Sequence, residues 1–127
     1  EISTRKESLV ILAADLYTID ELVNLIETVG PYISALKTHV DMIIDFDKLK
    51  WEKVLKSAEN HDLMIFEDRK FADIGKISQI QMGGIYDIRS WADFVTAHHD
   101  LLLNLQLRDL HLQLFFPPVF PNPQRVN

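Results

Sequence analysis

Four short apolar runs, beginning near positions 9, 33, 63 and 94, constrain this chain more than any other feature. Their starts are roughly 24 to 31 residues apart, and a helix-periodic stretch follows each of the first three. Runs of this length bounded by polar residues read as buried strands. Strands separated by a helix must lie parallel, because the crossover returns the chain to the same end of the sheet. The spacing therefore predicts an α/β fold built from consecutive strand–helix units.

The first unit predicts a strand over Leu9–Ala14, buried on both faces, after a polar start at residues 1–8 that reads as a linker or frayed end. Thr18 and Glu21 form a capping box, Leu22, Leu25, Ile26 and Val29 recur at helical spacing, and Gly30-Pro31 stops the helix. In the second unit Ile33–Leu36 is a strand that Lys37-Thr38-His39 continue, and Lys48–Asn60 is a helix with Leu49, Val54, Leu55 and Ala58 inward. The third has a strand over Leu63–Phe66 and a helix over Asp73–Met82, ended by Gly83-Gly84. Ala92–Ala97 is the fourth strand, with His98 at its end. Residues 99–127 differ in kind: leucine alternates through Leu101–Phe116, and Pro117, Pro118, Pro121 and Pro123 follow without any glycine. They read as a separate tail, extended or disordered in its last ten or so residues.

Composition narrows the functions. A formal net charge of -6 argues against a general nucleic-acid binder. The absence of cysteine excludes disulfides, thiolate nucleophiles and zinc–thiolate sites in this chain, and fits the cytoplasm. No apolar run approaches the roughly 20 residues of a membrane-spanning helix. The glycine-rich dinucleotide fingerprint and the P-loop pattern are both missing. Divergence of adjacent side chains on a strand argues against His98-His99 binding one metal.

Polar residues stand just past each predicted strand: Asp15, then Lys37 with His39, then Asp68 with Lys70, then His98. Parallel α/β folds carry their sites at the C-terminal strand ends, so these residues converge on one rim if the strands are neighbours. Asp68 and Lys70 flank Arg69 and share a face. The plain alternative is a solvated loop with Asp73 capping the next helix. Against it stands the chemistry of such a cluster. Opposite charges about 4 Å apart attract by roughly 4 kcal/mol at an effective dielectric of 20. Mixed carboxylates and ammoniums so placed present fixed charge and a positioned proton donor without a metal, which suits negative charge that develops on carbon and then takes up a proton.

Leu36-Lys37-Thr38-His39-Val40-Asp41, followed by Phe66-Glu67-Asp68-Arg69-Lys70-Phe71-Ala72-Asp73-Ile74-Gly75, resembles the orotidine 5'-phosphate decarboxylase family in its animal and fungal form. The resemblance covers about residues 8–98. It implies a dimeric (β/α)8 TIM barrel that uses no cofactor and no metal and converts orotidine monophosphate to uridine monophosphate and carbon dioxide. Residues 1–98 would be the N-terminal half of that barrel, about four of eight units, since such a barrel takes about 250 residues. Carried onto matching positions, the resemblance makes Lys37, Asp68, Lys70 and Asp73 catalytic and Asp15, Lys37, His39 and Ile74 substrate-binding. Asp15 and Lys37 would meet the ribose hydroxyls, Asp68 the substrate carboxylate, Lys70 the C6 carbanion, and Asp73 the partner subunit's site. In animals this domain follows an orotate phosphoribosyltransferase domain within a bifunctional uridine monophosphate synthase, which would account for a start at Glu1.

Two departures accompany the resemblance. Lys76-Ile77 stands where the family has Asn-Thr, and the glycine-rich turns, glutamine and arginine of the later strands have no counterpart in residues 99–127. The alternative expectation is thus an inactive truncated form that at most associates with the full-length enzyme. Sugar-phosphate lyases and isomerases share the Asp-x-Lys-x-x-Asp pattern, but Lys37-Thr38-His39 and the Phe66-Glu67 lead-in favour the orotidylate branch.

Overall fold

The computed structural model describes residues 1–73, 75–98 and 113–115. A short helix α1 (Ile2–Lys6) leads into β1 (Ile11–Ala14), α2 (Ile19–Val29), β2 (Ala35–Thr38), α3 (Lys48–Asn60), β3 (Met64–Phe71), α4 (Gly75–Gly83) and β4 (Phe94–Ala97). A last strand, β5 (Gln113–Phe115), joins the same sheet. The strands are all parallel and lie in the order β1-β2-β3-β4-β5. Chain order thus equals spatial order, which is how a barrel wall is built.

The register sorts the side chains into two faces. Leu12, Leu36, Ile65 and the buried Val95 belong to the face covered by helices. Ala13, Lys37, Phe66 and Phe94 share the other, with Ile11, Ala35 and Met64 one layer below. Ala35, Met64, Phe66 and Phe94, with Leu9 and Ile11, line an apolar hollow of about 310 Å³ on that inner face.

The helices form where the periodicity places them. Thr18 caps α2 by accepting from the Glu21 N–H, and the Glu21 carboxylate accepts in return from the Thr18 N–H, so two orphan donors are satisfied at once. Asp47 caps α3 by accepting from Lys50 N–H at 3.0 Å. The two helices pack together, and Glu27 joins them by accepting from the Ser57 hydroxyl at 2.5 Å and pairing with His61 at 3.1 Å.

Four expectations are corrected. Residues 2–6 are helical and tied down: Lys6 donates to the carbonyls of Gly30 and Ile33, and Arg5 pairs with Asp62 at 2.7 Å. The first strand is not buried on both faces, because Ile11 on the inner face is 56% exposed. Leu49 is 83% exposed, and Trp51, at 2%, fills the inward position of α3. Its indole lies between Phe46 and Trp91, with ring centroids 5.6 and 5.1 Å away and the rings tilted to each other. The third strand runs on through the charged motif to Phe71 rather than ending at Phe66. The reading of residues 99–127 as a tail lies outside the described residues except at β5.

Candidate active site

The site begins with an irregularity. β3 pairs with β4 as Glu67↔Val95 and next as Phe71↔Ala97, so β3 advances four residues where β4 advances two. Asp68, Arg69 and Lys70 occupy this bulge. A bulge re-aims side chains at a strand end and disrupts the ladder locally. Lys70 sits there at φ 56, in the left-handed region. For a residue with a Cβ this costs about 1 kcal/mol or more, so neighbouring bonds must hold it. One does: the Lys70 N–H donates to the Thr96 hydroxyl oxygen at 2.8 Å.

Asp68 is the hub. Its Oδ2 lies 2.7 Å from Lys70 Nζ, 3.3 Å from Lys37 Nζ and 3.5 Å from His39 Nε2. Its Oδ1 accepts from the Thr96 hydroxyl at 2.9 Å. Three strands therefore converge on one carboxylate: Lys37 and His39 from the end of β2, Lys70 from β3 and Thr96 from β4. The Asp68 side chain is 10% exposed and that of Lys70 53%, so the acceptor is sheltered while the ammonium faces the open rim. Burial by itself would raise the Asp68 pKa, but the bonds from Lys70, Thr96 and Lys37 outweigh it and hold the carboxyl below its ordinary value. Asp68 is an anion at any neutral pH.

Asp15 reaches this group through His39, 3.9 Å away. Arg69 turns from the array and pairs with Asp41. Asp73 is exposed and lines, with Arg69, Lys70, Phe71, Ala72 and Gln81, a cavity of about 430 Å³ beside the array; its carbonyl accepts from the Ser78 hydroxyl. Ile74 lies outside the described residues.

His98 is the polar strand-end residue that does not converge. No side-chain bond brings it to the array among the described residues; its backbone N–H donates to the Phe71 carbonyl at 2.7 Å. Thr96 takes the place expected of it. Sequence reading passed over Thr96 because threonine is an ordinary strand residue. The available signal was its position two residues before His98, on the face that a strand-end site would use. Among the described residues no cluster of three or more His, Asp or Glu side chains could hold a metal ion. No helix there is long and apolar enough to cross a membrane.

Comparison with known proteins bears on this arrangement. The family model described as orotidine 5'-phosphate decarboxylase / HUMPS family matches residues 8–99. Orotidine 5'-phosphate decarboxylase of Rhizomucor pusillus is 46% identical over 99 residues, 77% of this chain and 38% of the relative. That of Torulaspora delbrueckii is 51% identical over 86 residues, 66% of this chain and 33% of the relative. That of Schizosaccharomyces pombe is 42% identical over 94 residues, 73% and 36% respectively. The chain thus spans between a third and two fifths of the length of these curated relatives. The matched segment contains β1–β4 and the whole Asp68 array: the chain belongs to the orotidine 5'-phosphate decarboxylase / HUMPS family, and the parallel sheet of β1–β4 is part of that family's (β/α)8 barrel.

Proposed function

We propose that this chain supplies the charged array of an orotidine 5'-phosphate decarboxylase, acting on orotidine monophosphate in de novo pyrimidine biosynthesis. The observation that carries this reading is the Asp68 carboxylate held between Lys70 and Lys37 at 2.7 and 3.3 Å. In the proposed step the bond from C6 to the carboxylate carbon breaks and carbon dioxide leaves. The electron pair stays on C6, where the Lys70 ammonium stabilises it and then gives up a proton, yielding uridine monophosphate. Lys70 regains its proton from water, which its exposure on the rim allows.

The other roles follow from position. Asp68 orients Lys70 and, being an anion, keeps the ammonium turned toward the reacting carbon. Lys37, His39 and Asp15 line the rim on the β1–β2 side, where ribose hydroxyls would be bound. Asp73 lies past the bulge, and in this reading it would reach the site of a second subunit of a homodimer. The reading takes no cofactor or metal, no nucleic acid and no membrane partner, and a cytoplasmic location.

A second reading is a non-catalytic form that associates with the full-length enzyme. The exposed inner face favours it, since Ile11 and Leu9 stand open at 56% and 87%. An open face also lets water screen the array, and binding contacts remote from the reacting carbon are needed to drive the step.

Consumption of orotidine monophosphate by the chain, with Lys70→Ala as control, separates the two. Loss of the proton donor should lower turnover at least about a hundredfold. Equal background rates for the two proteins would remove the catalytic reading and favour the second.

A further inference from the structure

Behind the array, on the opposite face of β3, stands a carboxylate that the proposed reaction does not use. Glu67 is fully buried. It is paired in register with Thr38 on β2 and Val95 on β4, and alternation turns its side chain away from Asp68. A buried carboxylate persists only where hydrogen bonds offset its lost hydration. The bonds found here have an informative pattern. The Thr38 hydroxyl donates to Oε2 at 2.6 Å, and the Val40 N–H donates to Oε1 and Oε2 at 3.0 and 3.2 Å. These are the two residues flanking His39.

The position of this grip matters. The ladder between β2 and β3 ends at Thr38↔Glu67, so no further sheet pairing fixes the chain as it leaves β2. His39 is the next residue, and its ring comes within 3.5 Å of Asp68 on the front face. Val40 then opens a short 3-10 turn. Further out, the Arg69–Asp41 ion pair is partly exposed and open to screening. The buried tie is Glu67.

We propose that Glu67 is a positioning residue: by gripping Thr38 and Val40 it fixes the turn that carries His39, and with it the end of β2, against Asp68. Its structural part stands on this geometry; its catalytic consequence rests on the decarboxylase reading above. Asp41, on the turn after β2, and Arg69, on the same strand, are the charged groups that act on Glu67, but burial dominates and pushes its carboxyl up to about 7, against the bonds from Thr38 and Val40. Its protonation can therefore be followed near neutrality.

The test uses nuclear magnetic resonance on the full, isotope-labelled chain. In the wild type, the Val40 amide and Thr38 methyl signals should shift together with a midpoint near pH 7, and the His39 ring should show cross-relaxation to the Asp68 methylene. Glu67→Gln should abolish the pH step while retaining that cross-relaxation in weakened form, since its amide oxygen still accepts from Val40. Glu67→Ala should lose the cross-relaxation while the Ile65 and Val95 methyl signals stay in place. Unweakened cross-relaxation in Glu67→Ala would overturn the proposal, whatever the midpoint in the wild type. If Glu67→Ala does not fold, Thr38→Val removes one bond only; it should raise the midpoint and weaken the His39 signal, and an unchanged His39 signal would be equally decisive against it. In turnover of orotidine monophosphate, Glu67→Gln should lower the rate about ten- to a hundredfold and flatten the pH profile near neutrality. A wild-type chain without turnover would remove the decarboxylase reading and leave the resonance result to decide on Glu67.

Discussion

At the scale of residues, the array is a set of mutual constraints in which the neutral member is as necessary as the charged ones. Thr96 accepts from the Lys70 N–H and donates to Asp68, so one hydroxyl both holds a left-handed backbone and anchors a carboxylate. Thr96→Val keeps the volume and removes both bonds, leaving a buried acceptor and an amide donor unmatched. It should destabilise the chain by about 1–2 kcal/mol in denaturant titration. It should also raise the Asp68 carboxyl pKa, followed by its carbon resonance, since one of the bonds holding that pKa down is gone. Asp68 and Lys70 do meet, as period-two alternation suggested, but they do so across a bulge with Lys70 left-handed, not along an extended strand. Alternation thus pointed to the pair by the wrong route. The hub role of Asp68 was not legible in the sequence. It depends on a bulge and on a threonine from another strand, and neither leaves a pattern in hydropathy.

At the scale of elements, the helices were more legible than the strands. The bounds of α3 match the periodicity, because Asp47 supplies a cap and the inward positions recur regularly. Its facing was read wrongly at Leu49, since tertiary packing selects a stripe through Trp51, Val54 and Ala58 instead. β3 was cut short at Phe66 because charges usually mark the end of a strand; here they continue it onto the rim. The pairing of α2 with α3 gives a further prediction. A Cβ at Gly30 would lie 2.6 Å from His61 Cγ and 2.8 Å from its Cβ, atoms close to the backbone that cannot swing clear. Gly30→Ala should therefore cost about 1–3 kcal/mol, read as a lower urea midpoint, and should break the His61–Glu27 contact.

At the scale of the whole molecule, the burial of Glu67 makes stability depend on pH. Between its ordinary value of 4.5 and its folded value of about 7, the native chain holds a proton that the unfolded chain has released. Stability should therefore fall as pH rises from 5 to 8, by about 2.5 kcal/mol from this group, and Glu67→Gln should flatten that slope in unfolding measurements. Asp68 works with the opposite sign: its folded pKa is lowered, so its contribution is present at neutral pH and is lost only on strong acidification, below this window. The parallel architecture was legible because strand–helix spacing is set by chain geometry, whereas the exposure of the inner face follows from which surfaces meet, which no local pattern encodes. The bulge in β3 has one more consequence. Its two surplus residues are an even number, so Glu67 before it and Phe71 after it keep the same side of the sheet. Loss of two residues there would keep Glu67 and Phe71 on one side of the sheet while removing part of the Asp68 array; loss of a single one would turn Phe71 out of the core. Part of the Asp68 array thus sits on an insert in an otherwise regular strand, and the strand's buried face and the array can change separately.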